Sequence, residues 1–248
     1  MQLIITLKPQ NKLILPLSYH HVIQGLIYNL LKQNPEHSVF LHNTGYGDNS
    51  RRYKLFCFSQ LNGHYTIEKK TIIFDDIITL EIRSPIDEFI TIIKEALLLA
   101  SPSNPININN QSVEIIDLST TNNVIDKNKA TIVMNTPLCL NNTIIKDGKR
   151  YTKYYNPLDN EFKDLIYKNS IKKYQSINNK NIVSLFSLTP NSISAKDKYV
   201  TKFKDKIYIT AWKGTFSIEG PTDLINFLYN TGLGSKNSQG FGMFDYIP

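Results

Sequence analysis

The sequence predicts an α+β fold in which one β-α-β-β-α-β unit occurs twice in succession, and three observations carry that prediction. Each half of the chain alternates strand-like segments with two helical patterns. The second helices of the two halves begin alike, as Ser84-Pro-Ile-Asp87 and as Gly220-Pro-Thr-Asp223. A length of 248 residues is sufficient for two such units, each with a core of its own.

The first half supplies the six elements in order. Apolar residues at a spacing near 3.6 predict a helix over Pro16–Leu31, and Ser84-Pro85 begins a second amphipathic helix. Alternating, β-branched segments predict the strands, with Asn62-Gly63 as a hairpin turn between the second and the third. The predicted strands are Leu3–Lys8, Tyr53–Gln60, Tyr65–Phe74, Ile77–Arg83 and Val113–Leu118.

The second half repeats this order. Helices are predicted from about Pro157 and from Gly220, and a hairpin turns at Asp147-Gly148. The predicted strands are Ala130–Thr136, Ile182–Leu188, Ile207–Ile218 and a last one from Phe241. The polar segment Thr120–Asn123 separates the halves and predicts domains 1–121 and 122–248. This element order is that of tandem ferredoxin-like units, the architecture of common RNA-binding modules.

The composition favours a polyanionic partner. The formal net charge is +7, although only four of the basic residues are arginine and a Lys/Asn/Ile-rich coding background would raise the charge as well. Cys57 and Cys139 lie far apart and form no CxxC pair, so we expect buried free thiols in a reducing cytoplasm and no zinc site. The N-terminus resembles a strand and not a signal peptide, and no apolar run has membrane-spanning length.

Four glycines mark the C-terminal segment: Gly232, Gly234, Gly240 and Gly242. They flank Ser235, Lys236, Asn237, Ser238 and Gln239, a lysine among short polar side chains. Such a loop can present N–H groups to an anion. A Walker loop and a dinucleotide fingerprint both fail, because the loop follows a helix and precedes a strand. A helix cap with a flexible turn explains the first two glycines but not the last two.

Three residues with useful chemistry converge in the first half. Tyr28 is predicted on the polar side of the first helix, where an ordinary surface tyrosine is the alternative. His42 lies on the loop after that helix, and Lys54 at the start of the second strand. A single histidine is more often structural, but these three types suit metal-free RNA cleavage. Histidine exchanges protons near neutral pH, lysine stabilises developing negative charge, and tyrosine orients the attacking 2′-hydroxyl.

In these residues the chain resembles the CRISPR-associated endoribonucleases of the RAMP superfamily that cut precursor CRISPR RNA within its repeats (the Cas family numbered six). The resemblance runs from end to end. It rests on the opening strand, Gln24-Gly-Leu-Ile-Tyr28, Phe40-Leu-His42, Lys54-Leu-Phe56, Thr210-Ala-Trp212 and the terminal glycine loop.

The resemblance implies that Tyr28, His42 and Lys54 are the catalytic residues and that no metal or cofactor takes part. It implies products with a 2′,3′-cyclic phosphate and a 5′-hydroxyl. His37 is the main alternative to His42, and His20 and His21 are weaker ones.

The predicted RNA-binding residues lie beside Lys54 and in the terminal loop. Arg51 and Arg52 are expected beside the scissile phosphate, with a solvated charge cluster as the alternative. The set is Arg51, Arg52, Gly232, Gly234, Lys236, Asn237, Ser238, Gly240 and Gly242.

The leading interpretation is therefore a sequence-specific endoribonuclease acting on CRISPR repeat RNA. The alternative is a non-catalytic RNA-binding subunit of a CRISPR effector complex, which would keep the fold and the glycine loop without the His/Tyr/Lys set. The sequence leaves open whether the protein acts alone, as a homodimer or inside an interference complex.

Overall fold

The computed structural model describes residues 1–48, 51–101, 104–178, 185–203 and 207–247, apart from the side chains of His37, His42, Asp48 and Arg51. Within these ranges the protein is a mixed α/β structure built on two main sheets. The elements of the first half are β1 (Gln2–Pro9), β2 (Leu13–Pro16), α1 (His20–Leu31), α2 (Pro35–Val39), a π-helix (Phe40–Thr44), β3 (Tyr46–Asp48), β4 (Arg51–Tyr53), β5 (Cys57–Phe58), β6 (Asn62–Glu68), β7 (Thr71–Arg83), α3 (Asp87–Leu98), β8 (Ile106–Ile108) and β9 (Gln111–Thr121).

The first sheet is centred on β1, which pairs antiparallel with both β7 and β9. The strand order is β2-β7-β1-β9-β8, and β5 and β6 also pair with β7. Leu3, Ile5 and Leu7 alternate along β1 and are buried in the core that α1 and α3 complete. The alternation that predicted this strand therefore reflects its one buried face.

The second sheet has the order β13-β16-β10-β17, so its first strand, β10, lies between β16 and the last strand, β17, just as β1 lies between β7 and the last strand, β9, in the first sheet. Its core combines Ile132 and Phe216 of the sheet with Leu224 of α5. Two hairpins, β11–β12 and β14–β15, form separate two-stranded sheets. The elements of this half are β10 (Lys129–Met134), β11 (Asn141–Lys146), β12 (Lys149–Tyr154), α4 (Phe162–Gln175), β13 (Ser187–Ser192), β14 (Lys198–Phe203), β15 (Ile207–Trp212), β16 (Thr215–Glu219), α5 (Thr222–Thr231) and β17 (Phe244–Tyr246), with short 3₁₀ turns at Ala195–Asp197 and Asn237–Gln239.

Arg83 joins the two sheets. It is 2% exposed at the end of β7, and its guanidinium donates to the Phe244 carbonyl and to Asp245 Oδ1, both at 2.7 Å. The same group lies 4.0 Å from the centre of the Tyr229 ring. Charge-assisted bonds of this kind are short and directional. They hold β17 of the second sheet against β7 of the first.

The prediction of a turn at Asn62-Gly63 is wrong. Both residues lie inside β6, and the chain reverses after Glu68, at Lys69, whose φ is 54°. The two strands predicted over 65–83 are also divided differently, because β7 runs without interruption from Thr71 to Arg83. Asp75-Asp76 resembled a break in the apolar pattern, but both side chains point into solvent from within the strand.

Other predicted boundaries shift for backbone reasons. The strand predicted over Tyr53–Gln60 is divided because Leu55 has a φ of 51°. The strand predicted over Ile207–Ile218 breaks at Gly214, whose φ is 124°. Of the strand predicted over Ile182–Leu188, residues 182–184 lie outside the described part.

Three element starts also move. The first helix begins at His20, because Pro16 ends β2 and residues 17–19 form a turn. The fourth begins at Phe162, and the last strand begins at Phe244. The helices in the described part of the chain are too short or too polar to span a membrane.

Candidate nucleic-acid-cleaving site

The segment after α1 ends in an unusual turn. The helix α2 continues directly into the π-helix Phe40–Thr44, and His42 lies in the middle of that turn. Leu41 is 1% exposed and anchors the turn in the first core. Short π-helical turns are rare and occur often at functional sites. The backbone thus indicates that the segment of His42 is a candidate functional site. The side chains of His42 and His37 lie outside the described part.

Gly45 ends this turn and sets it against β4. Its N–H donates to the Phe40 carbonyl at 2.7 Å, and its φ is 65°. A β-carbon at Gly45 would lie 2.6 Å from the Tyr53 carbonyl oxygen and 3.5 Å from Lys54 Cδ. Only glycine allows both the positive φ and this approach. The π-helix that carries His42 is therefore brought beside Lys54, as the sequence predicted for these two segments.

Lys54 lies where the two cores meet. Leu55 is buried in the core of the second half, whereas the next residue, Phe56, is buried in the core of the first. The positive φ of Leu55 makes this change of direction possible. Lys54 is itself half-buried, and this burial lowers the pKa of its ammonium from the ordinary lysine value.

Tyr28 of α1 contacts Phe56, which lies two residues after Lys54. Its ring meets the Phe56 ring edge-to-face with centroids 6.3 Å apart. It is half-buried and packs against the first core, so the predicted position on a purely polar face is wrong. Burial raises the pKa of the Tyr28 hydroxyl, which keeps it protonated at neutral pH. Phe56 thus connects Tyr28 to the segment of Lys54.

The segment Gly232–Gly242, which we name the glycine loop, is largely buried. All four of its glycines have positive φ. A β-carbon at Gly242 would collide with the Leu233 carbonyl oxygen, so the loop closes on itself only with glycine there. Gln24 of α1 donates to the Ser238 carbonyl at 2.7 Å and ties the loop to the first half.

The N–H groups of the glycine loop are mostly engaged by the protein. Leu233 donates to Gly242, Ser235 to Cys139, and Gly242 to Pro137. Gln239 and Gly240 donate within the loop. These bonds leave fewer loop N–H groups for an anion than the glycine pattern alone suggests. The side chains in the middle of the loop remain as its polar surface.

Lys173 of α4 is the principal site residue that sequence reasoning missed. It is 2% exposed, and its ammonium donates to the carbonyls of Gly232 and Gly234 at 2.8 and 2.9 Å and to Asn237 Oδ1 at 2.6 Å. The amide of Asn237 in turn donates to the Leu233 and Phe241 carbonyls at 2.8 and 2.9 Å. Helical spacing carried a signal, because Lys173 falls on the same face of α4 as the buried Phe162 and Ile166, whereas Lys172 falls on the exposed face.

These elements enclose a cavity of about 210 Å³. It lies between the Lys54 segment, the glycine loop and α4, and it combines exposed cationic groups with hydroxyls and amides. Its lining residues are Arg52, Tyr53, Lys54, Leu55, Phe56, Asn169, Lys173, Thr231, Gly234, Ser235, Lys236, Asn237 and Ser238. We name it the phosphate pocket, because lysine and arginine with short hydroxyl donors are the groups that hold phosphate oxygens.

The structure thus brings most of the predicted RNA-binding residues together. Five predicted residues, one from the first half and four from the second, line the phosphate pocket together with Lys54: Arg52, Gly234, Lys236, Asn237 and Ser238. Gly232, Gly240 and Gly242 shape the loop without lining the pocket. The side chain of Arg51 lies outside the described part.

The two weaker alternatives, His20 and His21, lie elsewhere. His20 is buried against Phe241, with ring centroids 5.2 Å apart. His21 Nδ1 lies 2.9 Å from the Ser18 carbonyl, and its ring contacts Phe203. Neither lines the phosphate pocket. Among the described residues, no three His, Cys, Asp or Glu side chains are grouped so as to hold a metal ion.

The fold and the pocket together define a class of protein: a two-sheet α/β protein with a pocket lined by lysine and arginine where its two halves meet. The family model described as "CRISPR associated protein Cas6, C-terminal" matches residues 120–246, just over half of the chain. The chain belongs to this family, and the resemblance inferred from its motifs is confirmed.

Its relatives carry the same family name along the whole chain. It is 28% identical over 251 residues to "CRISPR-associated endoribonuclease Cas6" of Pyrococcus furiosus, which covers 98% of this chain and 89% of the relative. It is 29% identical over 270 residues to "CRISPR-associated endoribonuclease Cas6 2" of Methanocaldococcus jannaschii, over 100% of both chains. A solved structure described as "An RAMP protein binding different RNA substrates" shares the fold, with a TM-score of 0.82 at 21% identity over 100% of both chains.

Proposed function

We propose that this chain is an endoribonuclease that cleaves precursor CRISPR RNA within its repeats, without a metal ion, by attack of a 2′-hydroxyl. The observation that carries the proposal is one cavity of about 210 Å³ lined by the Lys54 segment and the glycine loop, with the π-helix of His42 packed through Gly45 against the Tyr53–Lys54 part of that lining. The names of the curated relatives support the reaction, and the described RNA binding of the structural relative supports the ligand.

We infer that each half is one ferredoxin-like unit, with a boundary near residue 121. The similar strand order of the two sheets supports this assignment, because β1 lies between β7 and β9 in one sheet and β10 lies between β16 and β17 in the other. The start of the matched family model at residue 120 agrees with the boundary. On this division, residues 1–121 carry the catalytic groups and 122–248 carry the glycine loop.

The reaction needs only groups that exchange protons and one that stabilises charge. A base removes the proton of the 2′-hydroxyl, whose oxygen then forms a bond to the adjacent phosphorus. The bond from phosphorus to the 5′-oxygen breaks, and an acid protonates that oxygen. The products are a 2′,3′-cyclic phosphate and a 5′-hydroxyl, with no change in the number of protons. General acid–base catalysis of this kind contributes about 10²- to 10⁴-fold.

We assign the proton transfers to His42 and the stabilisation of charge to Lys54. Lys54 lines the phosphate pocket and is half-buried, so its positive charge acts on a phosphorane with less screening than that of a fully exposed ammonium. Tyr28 keeps its proton and can hold the 2′-oxygen by a hydrogen bond. Arg52 and Lys236 line the same pocket and hold neighbouring phosphates.

The test is to incubate the purified protein with CRISPR repeat RNA in EDTA and to map the ends of the products. We expect one cut, with a 2′,3′-cyclic phosphate on the upstream product. A single 2′-deoxy nucleotide before the cut removes the nucleophile, so it abolishes cleavage. Continued cleavage of that RNA contradicts the 2′-hydroxyl mechanism. Tight binding with no cut identifies the alternative, a non-catalytic RNA-binding subunit.

The cellular setting and the assembly are part of the same proposal. We place the protein in the cytoplasm with its RNA, supported by two free, buried cysteines, Cys57 and Cys139. A mass measurement in solution, with and without repeat RNA, distinguishes a monomer from a homodimer. Co-purification with tagged effector subunits tests membership of an interference complex.

A further inference from the structure

We propose that Lys173 is a positioning residue for RNA cleavage: its buried ammonium holds the glycine loop in the shape that forms one wall of the phosphate pocket. This inference rests on the proposed function, because it assigns to α4 a role in the same site. In this role Lys173 touches no reacting atom and acts through the glycine loop.

The contacts of Lys173 are those of a fixed clamp. An ammonium has three N–H donors, and Lys173 directs hydrogen bonds to three neutral oxygens of the loop: Gly232 O, Gly234 O and Asn237 Oδ1. At 2.6–2.9 Å all three are short, as expected for a charged donor. Two carbonyls that point to one ammonium define the backbone path on both sides of Leu233.

The clamp also determines which way Asn237 faces. Because Oδ1 of Asn237 accepts from the ammonium, its amide nitrogen faces the Leu233 and Phe241 carbonyls and donates to both. Lys173 and Asn237 together therefore hold four backbone carbonyls of the glycine loop. Between these fixed points lie Ser235, Lys236 and Ser238, which line the pocket.

Stability alone gives little reason for a charge at this place. Burial of an ammonium is costly, and an apolar residue of similar volume often stabilises a core as well or better. The adjacent Lys172 is solvent-exposed, so the same helix carries the ordinary alternative one residue away. Lys173 also lines the pocket itself, opposite the segment of Lys54.

The experiment compares Lys173→Met with Lys172→Met, a matched exposed control on the same helix. Single-turnover cleavage of repeat RNA at saturating protein gives the rate constant and the reaction amplitude separately. For Lys173→Met we expect a rate constant reduced at least about tenfold at nearly full amplitude, since a shift of about 1 Å in a site can cost far more. The dissociation constant for RNA with a 2′-deoxy nucleotide at the cut should change less than threefold. Lys172→Met should match the wild type in both.

The outcomes separate this inference from the proposed function. If the wild type fails to cut repeat RNA, the proposed function fails. If the wild type cuts and Lys173→Met has a rate constant within twofold of it, only the role of Lys173 is overturned. A lower amplitude and melting temperature with an unchanged rate constant means a purely structural lysine and also overturns it. If Lys173→Met does not fold, Lys173→Gln, which keeps a neutral donor, replaces it in the comparison. A rate constant reduced at least about tenfold then supports the role of Lys173, and one within twofold of the wild type overturns it.

Discussion

Gly45 lies so close to Tyr53 that a β-carbon on the glycine would come within 2.6 Å of the tyrosine carbonyl oxygen. This contact joins the end of the π-helix to the strand that leads into Lys54. The distance from the His42 segment to the Lys54 segment is thus fixed by backbone packing and not by side chains alone.

Gly45→Ala should therefore impair cleavage more than it impairs folding. The β-carbon must push the π-helix away from Tyr53, and a displacement near 1 Å in a catalytic arrangement can cost about 10²-fold in rate. We expect a fall of at least about tenfold in the single-turnover rate constant. Gly25→Ala is the control, because a β-carbon there meets nothing within 4 Å. It should raise stability by about 0.5–1 kcal/mol and keep cleavage. Equal rates for the two variants would contradict the role of this contact.

The assignment of the histidine is tested by a pair of variants. His42→Ala should lower the cleavage rate constant by about 10²-fold or more, in line with the loss of one acid–base group. Binding of uncleavable repeat RNA should remain within a few-fold of the wild type. His37→Ala, five residues earlier in the same helical segment, should retain cleavage. If the activity of His37→Ala is lost and that of His42→Ala is retained, the assignment is wrong.

The sequence predicted the regular elements well because they are determined locally. The alternation of Leu3, Ile5 and Leu7 and the apolar stripe of α1 each report one buried face. The breaks at Leu55 and Gly214 were missed because a positive φ at a single residue leaves no periodic signal. The uninterrupted β7 was missed because exposed acidic residues inside a long strand resemble a turn.

The site was predictable only in part, for a similar reason. Residue types and their order along the chain predicted that Lys54 and the glycine loop belong to the site, and both line the phosphate pocket. The engagement of the loop N–H groups depends on contacts with Cys139 and Pro137, about a hundred residues away, which no local pattern encodes. The burial of Lys173 depends on how α4 packs under that loop. The engagement of the loop N–H groups and the burial of Lys173 therefore depend on long-range packing.

Lys236 should contribute to RNA affinity through its charge. Its backbone is in the left-handed region, with a φ of 63°, and its half-exposed side chain lines the phosphate pocket. Lys236→Ala should weaken binding and reduce the slope of log affinity against log salt by about 0.7, the value for one phosphate contact on a single strand. Lys168→Ala is the control, since Lys168 pairs on the surface with Asp164 at 2.6 Å. Identical salt slopes for Lys236→Ala and the wild type would exclude a phosphate contact.

His20 should make the protein less stable in mild acid. It is 4% exposed, and this burial, with a smaller contribution from the neighbouring His21, lowers its pKa from 6.5 to about 4. Its Nδ1 is buried, and the described part of the chain provides no hydrogen-bond partner for it. The groups packed around it are the rings of Tyr19, Tyr199 and Phe241. None of these is a carboxylate that could stabilise an imidazolium.

The sign of the effect follows from the two protonation states. Between pH 6.5 and 4 the unfolded chain binds a proton at His20 that the folded protein does not bind, so the free energy of unfolding falls as the pH falls. At about 1.4 kcal/mol per pKa unit, the loss approaches about 3 kcal/mol at pH 4, and His20 contributes no pH dependence above its ordinary pKa.

Urea denaturation at pH 7, 5.5 and 4 measures this loss of unfolding free energy, and His20→Phe should remove the part that His20 causes. The control is His64→Gln, at an exposed histidine 3.2 Å from Asp75, which should keep the full acid sensitivity between pH 6.5 and 4 that His20 causes. An unchanged dependence on pH in His20→Phe would mean that the buried imidazole does not cause it.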